Sequence, residues 1–162
     1  MKKAFVFDFD DTLATTSCMV KVMDNNNQCV TRLTPAEYNT HKLHDDFHYD
    51  YSEFQDGDFI AKAVATFLIH LAKEVHDEGH SVYILTARHD AISDAVDEWL
   101  LLSGIQAKAI HCVGNSTDNI ETAKQKILWQ IIDRYDRTYF YDDCEANITH
   151  APQHENMRAY KV

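Results

Sequence analysis

Aspartates dominate the residues whose type and placement could do chemistry. The run Phe7-Asp8-Phe9-Asp10-Asp11-Thr12 closes the first apolar segment, and Asp142-Asp143 follows the apolar segment that ends at Tyr141. Like charges packed at the ends of two strands are costly unless a cation lies between them. Carboxylate oxygens with no Cys or His at metal-ligand spacing beside them favour Mg²⁺. Aspartates after a strand are also ordinary turn residues and helix caps, so either pair alone decides nothing. Side chains alternate along an extended chain, which lets Asp8 and Asp10 point to one side. Two further features bear on an anion. Thr86-Ala87-Arg88 ends another apolar segment, and a hydroxyl with adjacent backbone amides at a strand end can hold a phosphate oxygen. Lys124 shares a helical face with Ile127, Leu128 and Ile131, whereas Lys126 lies off that face. A lysine placed like Lys124 is either a snorkelling surface residue or a counter-charge for phosphate.

These residues must be positioned by strands and helices in alternation. Residues 4–9, 81–85, 108–113, 137–141 and 157–162 are apolar runs of strand length. Three helical patterns lie between them. Ile60, Val64, Phe67, Leu68, Leu71 and Val75 recur at spacings of three and four, with Gly79 placed as a C-terminal cap. Ile92, Ala95, Val96, Trp99 and Leu100 share a second face, opened by Asp90 as N-cap and ended by Gly104. Ile120, Ala123, Ile127, Leu128, Ile131 and Ile132 share a third, with an N-cap expected within 116–118. This alternation predicts an α/β fold, a parallel sheet covered on both sides. In such sheets ligands bind beyond the carboxyl ends of the strands. Residues 14–58 break the alternation. Residues 18–23 and 28–33 flank Asp24-Asn25-Asn26-Asn27 and read as a β-hairpin, and Thr34-Pro35-Ala36-Glu37 reads as a helix start. The expectation is one domain over 1–162, with 14–58 as a flap hairpin and small cap over the end of the first strand.

Composition narrows the class. A chain of 162 residues with 45% hydrophobic and 25% charged residues is an ordinary globular domain. It is long enough to bury about 70% of its unfolded surface. No apolar run approaches the ~18 residues of a membrane span, and Asp8 interrupts the N-terminal apolar stretch too early for an export signal. Four cysteines without CxxC pairing read as reduced cytoplasmic thiols. The net charge of −11 argues against an extended nucleic-acid clamp, and no membrane partner is expected without an apolar run of spanning length.

Taken in order, Asp8-Phe9-Asp10-Asp11-Thr12, Thr86, Lys124 and Asp142-Asp143 resemble motifs I to IV of the haloacid dehalogenase superfamily, the first being its DxDx(T/V) signature. Each motif is short, but the ordered set spans nearly the whole chain. The chain also looks like small bacteriophage members of that superfamily and, more distantly, is similar to the phosphatase domain of polynucleotide kinase/phosphatase. The resemblance implies a Rossmann-like three-layer α/β/α core with strand order 5-4-1-2-3 and a lid after the first strand. It also implies a Mg²⁺-dependent phosphomonoester hydrolase. Asp8 would be the nucleophile forming an aspartyl-phosphate, and Asp10 the general acid and base. Thr86, Lys124 and Arg88 would bind phosphate. Mg²⁺ would be held by Asp8, the backbone carbonyl of Asp10 and Asp142, with Asp143 close by. A carboxylate of ordinary pKa, near ~4, is ionised at neutral pH and can attack phosphorus in line.

Substrate is less legible. Between Thr15 and Asp58, Lys21, Arg32 and Lys42 stand against eight acids, unlike a polynucleotide channel. Tyr38, Phe47, Tyr49, Tyr51 and Phe54 could stack a base or form the lid's own core. The expected partner is a nucleotide or nucleic-acid-end phosphate, with a phosphorylated sugar or other small metabolite as the alternative. A superfamily fold serving only as a binding module is a third reading. His41, His44 and His48 are spaced as a transition-metal site would be, but a His-rich polar segment accounts for them as well. Cys144 reads as a packing residue, since acidic surroundings raise a thiol pKa, and Asn147 as a residue that orients the loop.

Overall fold

The structure is a computed structural model that describes residues 1–162, the side chain of Asn39 excepted. In chain order the elements are β1 (Lys3–Phe7), β2 (Ala14–Thr15), β3 (Val20–Met23), β4 (Cys29–Leu33), α1 (Pro35–Thr40), β5 (His48–Asp50), α2 (Gly57–Ala61), β6 (Val64–Ala65) and α3 (Leu68–Asp77). There follow β7 (Ser81–Thr86), α4 (Ser93–Leu102), β8 (Ala109–Cys112), α5 (Ile120–Ile132), β9 (Arg137–Asp142), α6 (Glu145–His150) and β10 (Met157–Lys161). The main sheet is five-stranded, in the order β10-β9-β1-β7-β8. All of its pairings are parallel, so the expected order and the mixed α/β class both hold.

Alternation along β1 feeds both faces of this sheet. Phe5 and Phe7 pack with Val82, Ile84 and the apolar sides of α3 and α4, while Ala4 and Val6 pack with Leu85, Phe140 and α5. Strands buried on both faces read as unbroken apolar runs, which is why these were conspicuous in the sequence. The register sets Phe7 beside Ile84 on one side and Tyr141 on the other. The ends of three strands therefore finish level, with Asp8, Thr86 and Asp142 on one edge.

The helical pattern over 60–75 is corrected by the structure. Ile60 and Val75 belong to two separate helices, α2 and α3, and the chain between them runs as β6. Val64 and Ala65 pair antiparallel with Thr15 and Ala14, and the Thr66 amide donates to the Leu13 carbonyl at 2.8 Å. Val64 is 69% and Phe67 78% exposed, so their helical spacing was coincidental. Two caps also shift. His89, not Asp90, accepts from the Ala91 amide ahead of α4, and Asn119, one residue beyond 116–118, caps α5 through the Thr122 amide. Gly79 and Gly104 do take positive φ, 83° and 74°, where their helices end.

The segment after β1 builds a three-stranded antiparallel sheet in the order β4-β3-β5. Its turn follows from Asp24, whose Oδ1 accepts the amides of Asn26 and Gln28 at 2.8 and 2.9 Å, and from Asn27 at φ 57°. Asn tolerates that left-handed conformation better than most residues. Thr34 and Glu37 form a reciprocal capping box around Pro35 at the start of α1. Val20, Val22 and Leu33 make a small separate core with Tyr38, Phe47 and Tyr49 against it. Glu53 is buried beneath this sheet, accepting from the Met19 amide at 2.7 Å and pairing with Arg32. The third strand, β5, had no signal in the sequence beyond three residues of modest β propensity. No helix among the described residues is long and apolar enough to cross a membrane.

Candidate active site

Asp8 continues the β1 ladder by one bond, its amide donating to the Tyr141 carbonyl at 2.9 Å. There the strand stops. The amides of Thr12, Leu13 and Ala14 all turn back to the Phe9 carbonyl, and Asp11 takes φ 58°. Phe9 anchors the turn in the core, its ring edge-on to Trp99 at 5.3 Å. Asp8 and Asp10 are thus brought to one cleft by a tight loop, not by strand alternation, which ends at Asp8.

The ammonium of Lys124 joins the two strand ends. It donates to Asp8 Oδ1 at 2.9 Å and to Asp142 Oδ2 at 2.6 Å. Lys124 is 2% exposed and Asp142 is fully buried. The helical face that Lys124 shares with Ile127, Leu128 and Ile131 carries this lysine straight onto the sheet edge. Lys126 instead pairs with Asp118 at the surface. Asp142 is held further by the Cys144 amide at 2.8 Å and the Asn147 side-chain amide at 3.0 Å. Asn147, expected to orient the loop, instead holds the Asp142 carboxylate directly. Thr12, which sequence reasoning gave no role, lies 3.4 Å from Asp8 Oδ2 through its hydroxyl.

Asp8, Asp142 and Asp143 each offer an oxygen within 4.8 Å of the others. Among the described residues this is the one cluster of three or more such ligating groups, and His41, His44 and His48 do not form another. His41 bonds the Tyr49 hydroxyl and His44 lies near Asp46. The donor set suits a hard divalent cation of Mg²⁺ type: three carboxylates, with the Asn147 Oδ1 buried beside them without a partner. Electrostatics agree. Burial, opposed by Lys124 but reinforced by the Asp142 charge, pushes the Asp8 carboxyl up to about 7. Burial and then the charges of Asp142 and Asp11 raise Asp143 as well. These carboxylates crowd one another at neutral pH and a cation relieves them. The carboxylate of Asp10 lies outside the cluster.

Asp10 has a different partner. Arg88 takes both of its oxygens, Nε to Oδ2 at 2.8 Å and Nη2 to Oδ1 at 2.7 Å. The same guanidinium reaches the Phe54 carbonyl at 2.8 Å and the Thr16 hydroxyl at 3.2 Å. It is buried and lies 5.1 Å above the Phe54 ring. Arg88 was expected to lean over phosphate. In the structure it is committed to an acid and to the lid, because a bidentate carboxylate satisfies its planar fork best. Thr86 is fully buried beneath this loop, its Oγ1 accepting the Arg88 amide at 3.2 Å.

Gly114 secures the Arg88 loop from behind. Its amide donates to the Arg88 carbonyl at 2.9 Å, and a Cβ there would fall 2.6 Å from the Arg88 carbonyl carbon and 2.7 Å from the Ala87 oxygen. Nothing in a single sequence distinguishes such a glycine from a loop glycine. Gly114→Ala is expected to displace the Ala87-Arg88 turn and cost about 1–3 kcal/mol, as overpacking against backbone does. Equilibrium denaturation checks it, and an unchanged midpoint would mean the loop can yield.

No family model matches this sequence, and no curated protein does. Solved structures do match. A chain of the Pnkp1/Rnl/Hen1 RNA repair complex superposes with a TM-score of 0.65 at 14% identity, over all of this chain and 42% of that one. This chain thus spans less than half the length of that relative. D,D-heptose 1,7-bisphosphate phosphatase from B. bronchiseptica, solved with magnesium and phosphate, gives 0.50 at 13% identity over 93% of this chain and 74% of that one. A HAD-superfamily hydrolase from Geobacter sulfurreducens gives 0.51 at 12% identity over 91% and 82%. Identities this low show the fold, and the fold is that of the haloacid dehalogenase superfamily.

Proposed function

We propose that this protein is a Mg²⁺-dependent phosphomonoester hydrolase working through an aspartyl-phosphate on Asp8. One observation carries the reading: a buried lysine clamps Asp8 and Asp142 at the mouth of a three-carboxylate cluster, while the same loop presents a second acid, Asp10. Asp8, Asp142 and Asp143 would hold the metal, with the Asp10 carbonyl as a further candidate oxygen. Bound Mg²⁺ supplies positive charge for the phosphoryl oxygens and for the carboxylates themselves.

The remaining work falls to side chains. Asp8 attacks phosphorus as its ester P–O bond breaks, and Asp10 gives the departing oxygen a proton. Asp10 then takes a proton from the water that cleaves the aspartyl-phosphate, so the proton balance closes over one turnover. Lys124 and the Thr86 hydroxyl stabilise charge on the phosphoryl oxygens. Arg88 acts mainly by orienting Asp10. We take the natural substrate to be a nucleotide or nucleic-acid-end phosphate in preference to a sugar phosphate. A cytoplasmic setting, where thiols stay reduced, suits the four free cysteines.

The test is hydrolysis of p-nitrophenyl phosphate by metal-stripped protein titrated with Mg²⁺. Turnover should be absent in excess EDTA and return with Mg²⁺, with Ca²⁺ a poor substitute because it does not hold tight octahedral geometry. Full activity in EDTA would refute the reading. The raised Asp8 carboxyl adds a pH signature. A carboxylate must be deprotonated to ligate, so Mg²⁺ binding should release about one proton at about pH 6 and almost none well above 7. A group raised in the folded state contributes stability below its unfolded value, here 3.8, and loses it as pH rises through about 7. Saturating Mg²⁺ should therefore raise the Tm more at about pH 8 than at about pH 6. Calorimetry in buffers of different ionisation enthalpy measures the proton release.

A further inference from the structure

Two cavities meet at Asp10. One, of about 310 Å³, holds Asp8, Lys124, Asp142 and Asp143. The other, of about 460 Å³, lies between the lid and the Arg88 loop and shares Asp10, Asp11 and Ala87 with the first. If Asp10 protonates the leaving oxygen, the body of the leaving group must pass Asp10 into this second space. The chemistry of its walls then states what kind of group leaves.

The walls are mainly apolar and come from the lid: Val20, Pro35, Tyr38, Tyr51 and Phe54. The Tyr38 and Tyr51 rings meet nearly perpendicular, at 87° and 5.8 Å, with their hydroxyls 2.8 Å apart. The two rings present flat aromatic surfaces at the cavity's edge. Cations are scarce. No lysine lines the cavity, and the Arg88 guanidinium is already shared among Asp10, Phe54 and Thr16. His89 is engaged by Asn115 and Asp90, and Asp11 adds negative charge. A second phosphate has no partner here. A sugar would leave most of the aromatic surface unused, since its faces are lined with hydroxyls.

We propose that this cavity is the leaving-group pocket and that it takes a single nucleoside, so that the substrate is a nucleoside monophosphate. The inference rests on the phosphatase reading above. Its volume lies within the roughly 300–1,000 Å³ of small-molecule sites. A flat heterocycle uses aromatic walls by stacking, and its polar edge can meet Thr16 and Gln55, which also line the space. A longer strand would have to run on over an acidic lid whose Arg32 is already paired with Glu53, and phosphodiesters avoid such a surface.

The experiment compares kcat/KM of the full chain with Mg²⁺ on 3′- and 5′-nucleoside monophosphates, glycerol phosphate, a nucleoside bisphosphate and an end-phosphorylated oligonucleotide. At least one monophosphate should exceed glycerol phosphate by about 10–100-fold, the value of one stacked base. The bisphosphate and the oligonucleotide should be poorer than that monophosphate. Tyr51→Ala should cut the nucleotide-to-glycerol ratio about tenfold, chiefly through KM, while Tyr51→Phe keeps it. Equal rates on nucleotides and glycerol phosphate would overturn the proposal, as would preference for the oligonucleotide or a Tyr51→Ala loss equal on all esters. Failure to hydrolyse any ester would instead sink the phosphatase reading. The pocket would then be judged by calorimetric binding of free nucleoside: binding lost in Tyr51→Ala supports it, and no binding to the unaltered protein overturns it.

Discussion

Asp8→Asn is expected to abolish turnover, by at least about 10⁴-fold, and to leave no phosphorylated protein in a rapid quench. The amide keeps the shape of the side chain and can still accept from Lys124, so the fold should survive, but it cannot attack phosphorus. No neighbouring group replaces it, since Asp142 is fully buried and tied to Lys124, Cys144 and Asn147. Asp10→Asn should fail differently. The nucleophile remains and the proton shuttle is gone, so alkyl phosphates should slow by about 10²–10⁴-fold. p-Nitrophenyl phosphate, whose leaving group needs little protonation, should lose less in its first step. Aspartyl-phosphate should then accumulate, because its hydrolysis needs the same base. A phosphorylated species on Asp8→Asn, or equal single-turnover losses for phenyl and alkyl esters in Asp10→Asn, would overturn the two assignments.

Lys124→Met is expected to be the most damaging single change for stability. Burial alone would push the Lys124 ammonium down, but the charges of Asp8 and Asp142 more than reverse that and hold it above the ordinary lysine range. Removing it leaves two carboxylates facing each other out of water. Breaking a buried pair in this way costs about 3–5 kcal/mol. The loss should be largest in metal-free protein at neutral pH. It should shrink when Mg²⁺ restores positive charge to the cluster, and again at acid pH, where protonated carboxyls no longer repel. Turnover should fall by at least about 10²-fold with the loss of a charge-stabilising donor. Lys126→Met is the control. Its pair with Asp118 is exposed, and surface pairs contribute about 0–1 kcal/mol. Urea unfolding of both variants with and without Mg²⁺ is the measurement. Equal stability of the two variants, or no response of Lys124→Met to the cation, would mean that the lysine is not the counter-charge of the cluster.

Arg88 connects chemistry to the lid. Its contacts run from the acid Asp10 to the Phe54 carbonyl and the Thr16 hydroxyl, so the Asp10 carboxylate is oriented partly by the segment that walls the neighbouring cavity.

What could be read from residues alone was what depends on neighbours along the chain. Strands buried on both faces are apolar runs, and so β1, β7 and β9 were visible with the polar residues at their ends. The capping box of Thr34 and Glu37 and the positive-φ positions of Gly79 and Gly104 are local for the same reason. Lys124 was legible because a helix has a period, and its apolar face could point only to the sheet. The pairing of Arg88 with Asp10 joins residues 78 apart, and no local rule says which of several acids a buried guanidinium will meet. The break between α2 and α3 likewise came from a distant partner, since Ala14 and Thr15 capture Val64 and Ala65 in a ladder against their helical spacing. The place of β5 beside β3, the closeness of Gly114 to the Arg88 carbonyl and the aromatic cavity at Asp10 belong to this second kind. Each depends on surfaces that meet only after the chain has closed on itself, where packing and burial outweigh local preference.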